Sequence, residues 1–292
     1  MNTLYVIKIG GNIIDDQALL ESFLSDFADL SGNKILVHGG GKIATKLSKD
    51  LGIESELIEG RRVTDAETLN VVVMVYAGLI NKKIVASLQK LNCNAIGLAG
   101  ADGNIIRATK RPLRKVLSFG EDLGEVKQSK NQIPLLREDL GEAIDYGFVG
   151  DLDDSSVDAQ AIYKLVQAGF TPVFSAITHD GNGQLLNTNA DTIASVIAVS
   201  MSGLYTTSLV YCFEKSGVLK DVNDESSIIR NINEEEYKEL KKDGVIHSGM
   251  IPKLDNAFEA IGKGLGEVCI GKADALPHLK DKTFGTRLKA EK

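Results

Sequence analysis

Lys8 interrupts the apolar run Leu4-Tyr-Val-Ile-Lys-Ile9 near its end, and the run stops at Gly10-Gly11. Open α/β sheets place ligands at the carboxyl ends of their strands, and a lysine buried there without a counter-charge is costly. On this ground alone two readings stay open, an ammonium held for an anionic ligand or a side chain that snorkels out of the strand end. A second junction, Gly39-Gly40-Gly41, follows Lys34-Ile-Leu-Val-His38. Amides freed at helix N-termini bind phosphate oxygens, so the amides of Gly10, Gly11 and Gly40 are candidate hydrogen-bond donors to phosphate, with Gly40 and Gly41 also candidates for the substrate. Glycine is also used simply where φ is positive. Neither junction fits G-x-x-x-x-G-K-[ST], which excludes a Walker A loop, and no G-x-G-x-x-G follows a strand, which disfavours a dinucleotide site.

Three further groups carry candidate chemistry. Arg61-Arg62-Val-Thr-Asp65 joins two guanidiniums, suited to bidentate carboxylate binding, to a helix cap; two surface arginines are the alternative. Asn187-Thr-Asn-Ala-Asp191 offers amides and a carboxylate ahead of an apolar helix, or merely an N-cap at Asn189 or Asp191. Lys253 follows Pro252, which suits the first turn of a helix, and on its own says nothing more. The four histidines show no metal-ligand spacing, so no metal site is assigned, and His38 reads as a structural residue at its strand end. Cys93, Cys212 and Cys269 form no C-x-x-C pair and read as buried thiols rather than disulfides or zinc ligands.

The elements that must position these groups alternate between strand and helix. Leu4–Ile9 leads into a helix with Asp15 as a cap and Leu19, Leu20, Phe23, Leu24 and Phe27 inward. Lys34–His38 precedes an amphipathic segment with Ile43, Leu47 and Leu51, and a short strand near Leu57–Ile58 precedes a long helix from Asp65 to Leu91. Strands follow at Asn94–Leu98, Ile144–Val149, Thr171–Ser175, Ser208–Cys212 and Glu267–Ile270. Helices are expected over Ser155–Ala168, Ile193–Val199, Glu234–Lys242 and Ile251–Lys263. This is the pattern of an α/β protein with a mainly parallel sheet. From Arg107 to Gln132 it breaks into a charged stretch that reads as an exposed hairpin excursion.

The chain has 292 residues, enough for two domains or one large two-lobed α/β domain. Its 33 Lys and Arg against 40 Asp and Glu leave a net charge of −7, the wrong sign for a nucleic-acid or anionic-membrane binder, so an anionic ligand must be met by a local cation cluster. Neither a signal peptide nor a run of about 18 apolar residues is visible, so no membrane span is expected and a cytoplasmic location is. Glycine is enriched, 29 residues, and concentrates beside strand-like runs.

In their order and separations, Lys8-Ile-Gly-Gly11, His38-Gly-Gly-Gly41, Gly60-Arg-Arg-Val-Thr64, Asn187-Thr-Asn-Ala-Asp191, Gly249-Met-Ile-Pro-Lys253 and Gly285-Thr-Arg287 span nearly the whole chain. With them the chain resembles the amino-acid kinase family, most closely its acylglutamate kinase branch. The resemblance implies one three-layer αβα sandwich around a mainly parallel open sheet, residues 1–292, with an acylglutamate-binding lobe over 1–173 and a nucleotide-binding lobe over 174–292. It implies ATP-dependent phosphorylation of the γ-carboxylate of an N-acylated glutamate, acetylated or succinylated, in arginine biosynthesis. Magnesium would be held mainly by the nucleotide phosphates.

By the same resemblance, Lys8 and Lys253 stabilise the transferring phosphoryl group and Asp191 holds the two lysines. Gly10, Gly11, Gly40 and Gly41 supply amides, Arg62 clamps the substrate's α-carboxylate and Asn187 binds beside it. On the nucleotide side the family's Ser-Asp pair is replaced by Tyr211-Cys-Phe-Glu-Lys215 ahead of Ser216-Gly-Val-Leu219. Glu214 takes the aspartate's place, and Gly217 and Lys253 complete that side. Two other readings remain: the same fold with another acceptor, such as glutamate, carbamate or a nucleoside monophosphate, or a catalytically silent amino-acid sensor. The uncharged run Val71–Ile80 makes its helix apolar all round, and related kinases dimerise through a helix at this place. Larger arginine-inhibited rings use an added N-terminal helix, for which the seven residues before Lys8 are too few. The expected assembly is therefore a homodimer insensitive to arginine.

Overall fold

The computed structural model describes residues 2–54, 56–58, 61–116, 122–125, 143–246, 250–281 and 283–290. Its central sheet has eight strands, in spatial order Asn231–Ile232, Thr286–Lys289, Glu267–Lys272, Thr206–Phe213, Thr3–Ile9, Asn33–His38, Thr171–Ser175 and Ala95–Leu98. From Glu267–Lys272 to Ala95–Leu98 every neighbour is parallel; Thr286–Lys289 then adds antiparallel, and Asn231–Ile232 pairs parallel with it as the edge strand. Ile35, Leu36 and Val37 are consecutive and all 0% exposed. Successive strand side chains point to opposite faces, so both faces are covered and the architecture is a three-layer αβα sandwich.

The helices follow local signals. The helix Gln17–Asp29 is capped by Asp16, whose side chain accepts from the Leu19 amide, rather than by the expected Asp15. Asp15 instead ends a separate short helix, Gly11–Asp15. Phe23, Leu24 and Phe27 are buried as expected, but Leu19 faces solvent off its helix's buried stripe and Leu51 does so as the C-cap residue past the end of the helix Gly41–Asp50. Asp65 caps the next helix through the Thr68 amide. The strand expected over Ile144–Val149 is two shorter ones, Ala143–Ile144 and Val149–Asp151, with Gly147 at φ +72 between them. A bend there lets Phe148 N donate to Thr64 O at 2.6 Å. The helix expected from Ser155 begins at Ala159, because Asp158 is the cap.

Ala66–Lys90 is one continuous helix whose middle, Met74–Ile80, widens to a π-helical turn. By length and composition it is apolar enough to cross a membrane, which corrects the expectation that no such segment exists. Here Val71, Val72, Val75, Ile84 and Leu88 are buried in the core, and Met74 and Leu79 are exposed.

A second sheet, Ile177–His179, Leu185–Thr188, Val149–Asp151 and Thr109–Lys110, was not legible in the periodicity, its strands being only two to four residues long. Of the excursion expected over 107–132, Arg114–Val116 and Asp122–Glu125 pair antiparallel as a hairpin; residues 117–121 and 126–132 lie outside the described residues.

Candidate active site

A cavity of about 300 Å³ opens at the carboxyl ends of the parallel strands, between the two glycine junctions and the small sheet. Lys8 lines it from the strand Thr3–Ile9 and Asp191 from the first turn of the helix Ala190–Met201. Asn189 is the cap of that helix, its side chain accepting from the amides of Asp191 and Thr192 at 2.7 and 3.2 Å, so the Asp191 carboxylate is free to turn inward. Lys8 Nζ stands 2.7 Å from Asp191 Oδ1, and Lys253 Nζ 3.4 Å from Asp191 Oδ2. One carboxylate therefore bridges two ammoniums that lie 245 positions apart in sequence. Burial alone would raise the Asp191 carboxyl, but the charges of Lys8 and then Lys253 outweigh it and hold it below its ordinary range. The Lys8–Asp191–Lys253 cluster is left with two positive charges against one negative.

The glycine junctions stand on either side. Gly40 precedes the helix Gly41–Asp50, and no side chain caps that helix, so its first amides are available to a ligand. A Cβ on Gly40 would lie 2.2 Å from Ile80 Cδ1 and 3.1 Å from Tyr76 Cδ1. The π-helical turn sets these two side chains against the loop, and only glycine fits beneath them.

Arg62 emerges from the hairpin Leu57–Ile58/Arg61–Arg62, and its Nη2 donates to Gly41 O at 3.0 Å and to Thr45 Oγ1 at 2.6 Å. Asn187 Nδ2 donates to Thr64 Oγ1 at 3.0 Å, and Thr64 Oγ1 donates to Arg62 O at 3.1 Å. Arg62 and Asn187 thus share one wall of the cavity. A guanidinium gripping an acceptor's carboxylate acts in ground and transition states alike, which shows in KM rather than kcat. If Arg62 grips the acceptor's carboxylate as the resemblance implies, Arg62→Ala should raise the acceptor's KM about 10–100-fold, the scale of a lost hydrogen bond to a charged group, with kcat little changed. Steady-state kinetics at saturating nucleotide check this, and a rise confined to the nucleotide's KM would put Arg62 elsewhere.

His38 is fully buried at the end of its strand. Asn81 Nδ2 donates to His38 Nε2 at 3.1 Å, which leaves Nδ1–H to donate to Gly39 O at 2.9 Å. Asn81 also donates to Val173 O at 2.9 Å, so it ties the long helix to the glycine loop and the sheet. Desolvation pushes the imidazole down to about 4. Between that value and an unfolded value near 6.5, only the unfolded chain binds the proton, so stability falls as pH drops through this window. The loss approaches roughly 3 kcal/mol. Melting curves from pH 7 to pH 4 should show this slope, and His38→Asn should flatten it.

Other expected residues lie apart. Glu214 is exposed after the strand Thr206–Phe213, and neither it nor Gly217 lines the cavity. Gly217 has a packing reason of its own, since a Cβ there would lie 2.6 Å from Thr286 Oγ1. Thr286 Oγ1 also accepts from Val218 N at 2.9 Å, and Arg287 pairs with Glu267 at 2.9 Å, so Gly285-Thr-Arg287 ties its strand into the sheet. Sequence reasoning missed Tyr76, Arg111 and Asp151 in the cavity lining. Arg111 Nε donates to both Asp151 oxygens at 3.0 Å. The two lie 40 positions apart, and neither has a marker of spacing. Among the described residues no three His, Cys, Asp or Glu side chains converge as a metal site.

A parallel αβα sandwich that brings together a strand-end lysine, a second lysine and a bridging aspartate from two helix starts, and glycine-led helix N-termini is the architecture of a phosphotransferase. The model of the amino acid kinase family matches residues 3–272, and the chain belongs to that family. It is 52% identical to the acetylglutamate kinase of Cytophaga hutchinsonii, over 99% of this chain and 100% of that protein. It is 50% identical to the acetylglutamate kinase of Bacteroides thetaiotaomicron, with 98% of each covered. In fold it is similar to the carbamate kinase of Giardia lamblia bound to AMP-PNP, with a TM-score of 0.64 at 14% identity and 99% of both chains covered.

Proposed function

We propose that the cavity between the glycine junctions is where ATP and an N-acylated glutamate meet, Lys8, Lys253 and Asp191 being the transfer machinery. The chain is a carboxyl-group phosphotransferase: with ATP it phosphorylates the γ-carboxylate of N-acetylglutamate, a step of arginine biosynthesis. A carboxylate oxygen attacks the γ-phosphorus, the bond to the β-phosphate oxygen breaks, and the products are an acyl phosphate and ADP. Since the substrate brings its own nucleophile, the protein has only to position and to neutralise charge. The observation that carries this reading is the pair of ammoniums bridged by Asp191, with Lys8 and Asp191 lining the same cavity as Arg62 and Lys253 joined to it through Asp191.

The residue roles are those that membership of the family suggests, and the geometry supports them. Lys8 and Lys253 meet the charge of the transferring group, and Asp191 keeps both in place. Gly10, Gly11, Gly40 and Gly41 present amides, and Arg62 and Asn187 hold the amino-acid end of the acceptor. In this reading residues 1–173 are the acylglutamate lobe, to which Asn187 adds a contact from beyond its boundary, and 174–292 the nucleotide lobe, where Lys253 and, outside the cavity lining, Glu214 and Gly217 would serve the nucleotide. Of the two carboxylates that line the cavity, Asp191 is already committed to the lysines and Asp151 to Arg111. That donor set suits magnesium carried by the nucleotide phosphates and water. Magnesium supplies further neutralisation of phosphate charge when bound.

The deciding experiment traps acyl phosphate as the hydroxamate, with ATP and a panel of N-acetylglutamate, N-succinylglutamate and free glutamate. Turnover of N-acetylglutamate is the expected result, and its absence with every acceptor would favour a silent sensor. The protein acts in the cytoplasm as a homodimer. Met74 and Leu79, 53% and 45% exposed on the long helix, are apolar groups that a second copy of the same helix would cover. Light scattering at micromolar concentration should give twice the chain mass.

A further inference from the structure

Phe213 is the last residue of the strand Thr206–Phe213, beside Lys8's own strand. Lys8 is in register with Tyr211. Side chains two apart on a strand share a face, so Lys8, Tyr211 and Phe213 all leave the sheet on one side. The Phe213 ring stacks on Tyr211 with centroids 6.0 Å apart and planes 12° apart. Its Cδ1 lies 3.7 Å from where a Gly10 Cβ would stand. Above this supported ring are both catalytic cations, Lys8 Nζ at 5.3 Å and Lys253 Nζ at 4.4 Å from its centroid.

Two ammoniums drawn to one carboxylate repel each other, and Asp191 neutralises only one of them. An aromatic face carries the negative part of the ring quadrupole and attracts a cation within about 6 Å. We propose that Phe213 is a positioning residue for phosphoryl transfer, its ring face acting with the Asp191 carboxylate to hold Lys8 and Lys253 together. The inference rests on the assignment of the two lysines to phosphoryl transfer. A ring suits the task because it holds the ammoniums without taking up their hydrogen-bond donors, which stay free for phosphate oxygens. It also joins Lys253, on a helix distant in sequence, to the strand that carries Lys8.

The test replaces Phe213 by leucine and, separately, by mono-, di- and trifluorophenylalanine, which keep the ring's shape while weakening its quadrupole. Phe213→Leu should lower kcat about tenfold, the scale of one partly desolvated cation–π contact. The acceptor's KM should hold, since Arg62 and Asn187 stand on another wall. The fluorinated series should lower kcat stepwise even where the leucine variant folds poorly. A readout free of turnover is the lysine Hε resonances, assigned through Lys8→Arg and Lys253→Arg. In the unsubstituted protein the ring should shift them upfield, and in Phe213→Leu they should return to ordinary positions. A flat fluorine series in an active enzyme overturns the role of the ring while leaving the kinase reading intact. An unsubstituted protein that phosphorylates no acceptor overturns the kinase reading instead, and unshifted lysine resonances then overturn this one as well.

Discussion

Lys8→Ala should lower kcat by about 10²–10³ while leaving the fold in place, because removing one pre-organised charge donor from a phosphoryl-transfer site costs about that much. The size follows from the placement of the ammonium: it is 2.7 Å from Asp191 on a central strand, so its position is set before any ligand arrives. Lys253→Ala should fall by a similar factor through the same loss. Alanine is tolerated in the strand because Val6, Ile7 and Ile9, all 0% exposed, keep the core packed around it. Lysine-to-arginine is not a rescue, since the planar fork cannot occupy the place of a compact ammonium between Asp191 and Phe213. Single-turnover rates with an unchanged circular dichroism spectrum decide the matter; near-normal turnover would remove Lys8 from the chemistry.

Much of this was legible in the sequence, for a physical reason. A strand buried on both faces must be an unbroken apolar run, so the lysine in Leu4–Ile9 announces itself as an exception, and Gly10-Gly11 marks where the run ends. The caps at Asp65 and Asn189 were legible because capping is local chemistry of a side chain and an amide two or three residues on. Contacts that join distant stretches were not. The aromatic contacts of Phe213, the partnership of Arg111 with Asp151 and the closure of His38 on Asn81 depend on strand order and helix packing. No spacing rule carries that information. Tyr76 was hidden for another reason: inside an apolar helix it looked like core, and only the widened turn at Met74–Ile80 aims it at Gly40.

Asp191→Asn should separate positioning from stability. The carboxylate makes no contact with the reaction as drawn, yet among the described residues it is the only acid that both lysines share, so the amide should lower kcat by about 10², through two displaced ammoniums rather than one lost charge. Stability should fall less than when a deeply buried pair is broken, because the side chain is 16% exposed and the cavity admits water; about 1–2 kcal/mol is expected. The pH dependence has a definite sign. With its folded pKa held below the ordinary value near 4, Asp191 contributes stability that is present above that value and lost as the pH falls through the lower folded one. The asparagine variant should lack this acid-side loss and keep the one from His38. Nucleotide gives the sharpest discrimination. Its phosphates replace the missing negative charge beside Lys8 and Lys253, so saturating ATP should raise the melting temperature of Asp191→Asn at least as much as that of the unsubstituted protein. Turnover should stay low all the same. A variant that melts far lower and is not recovered by ATP would make Asp191 a structural cap, and one that turns over normally would free both lysines from it.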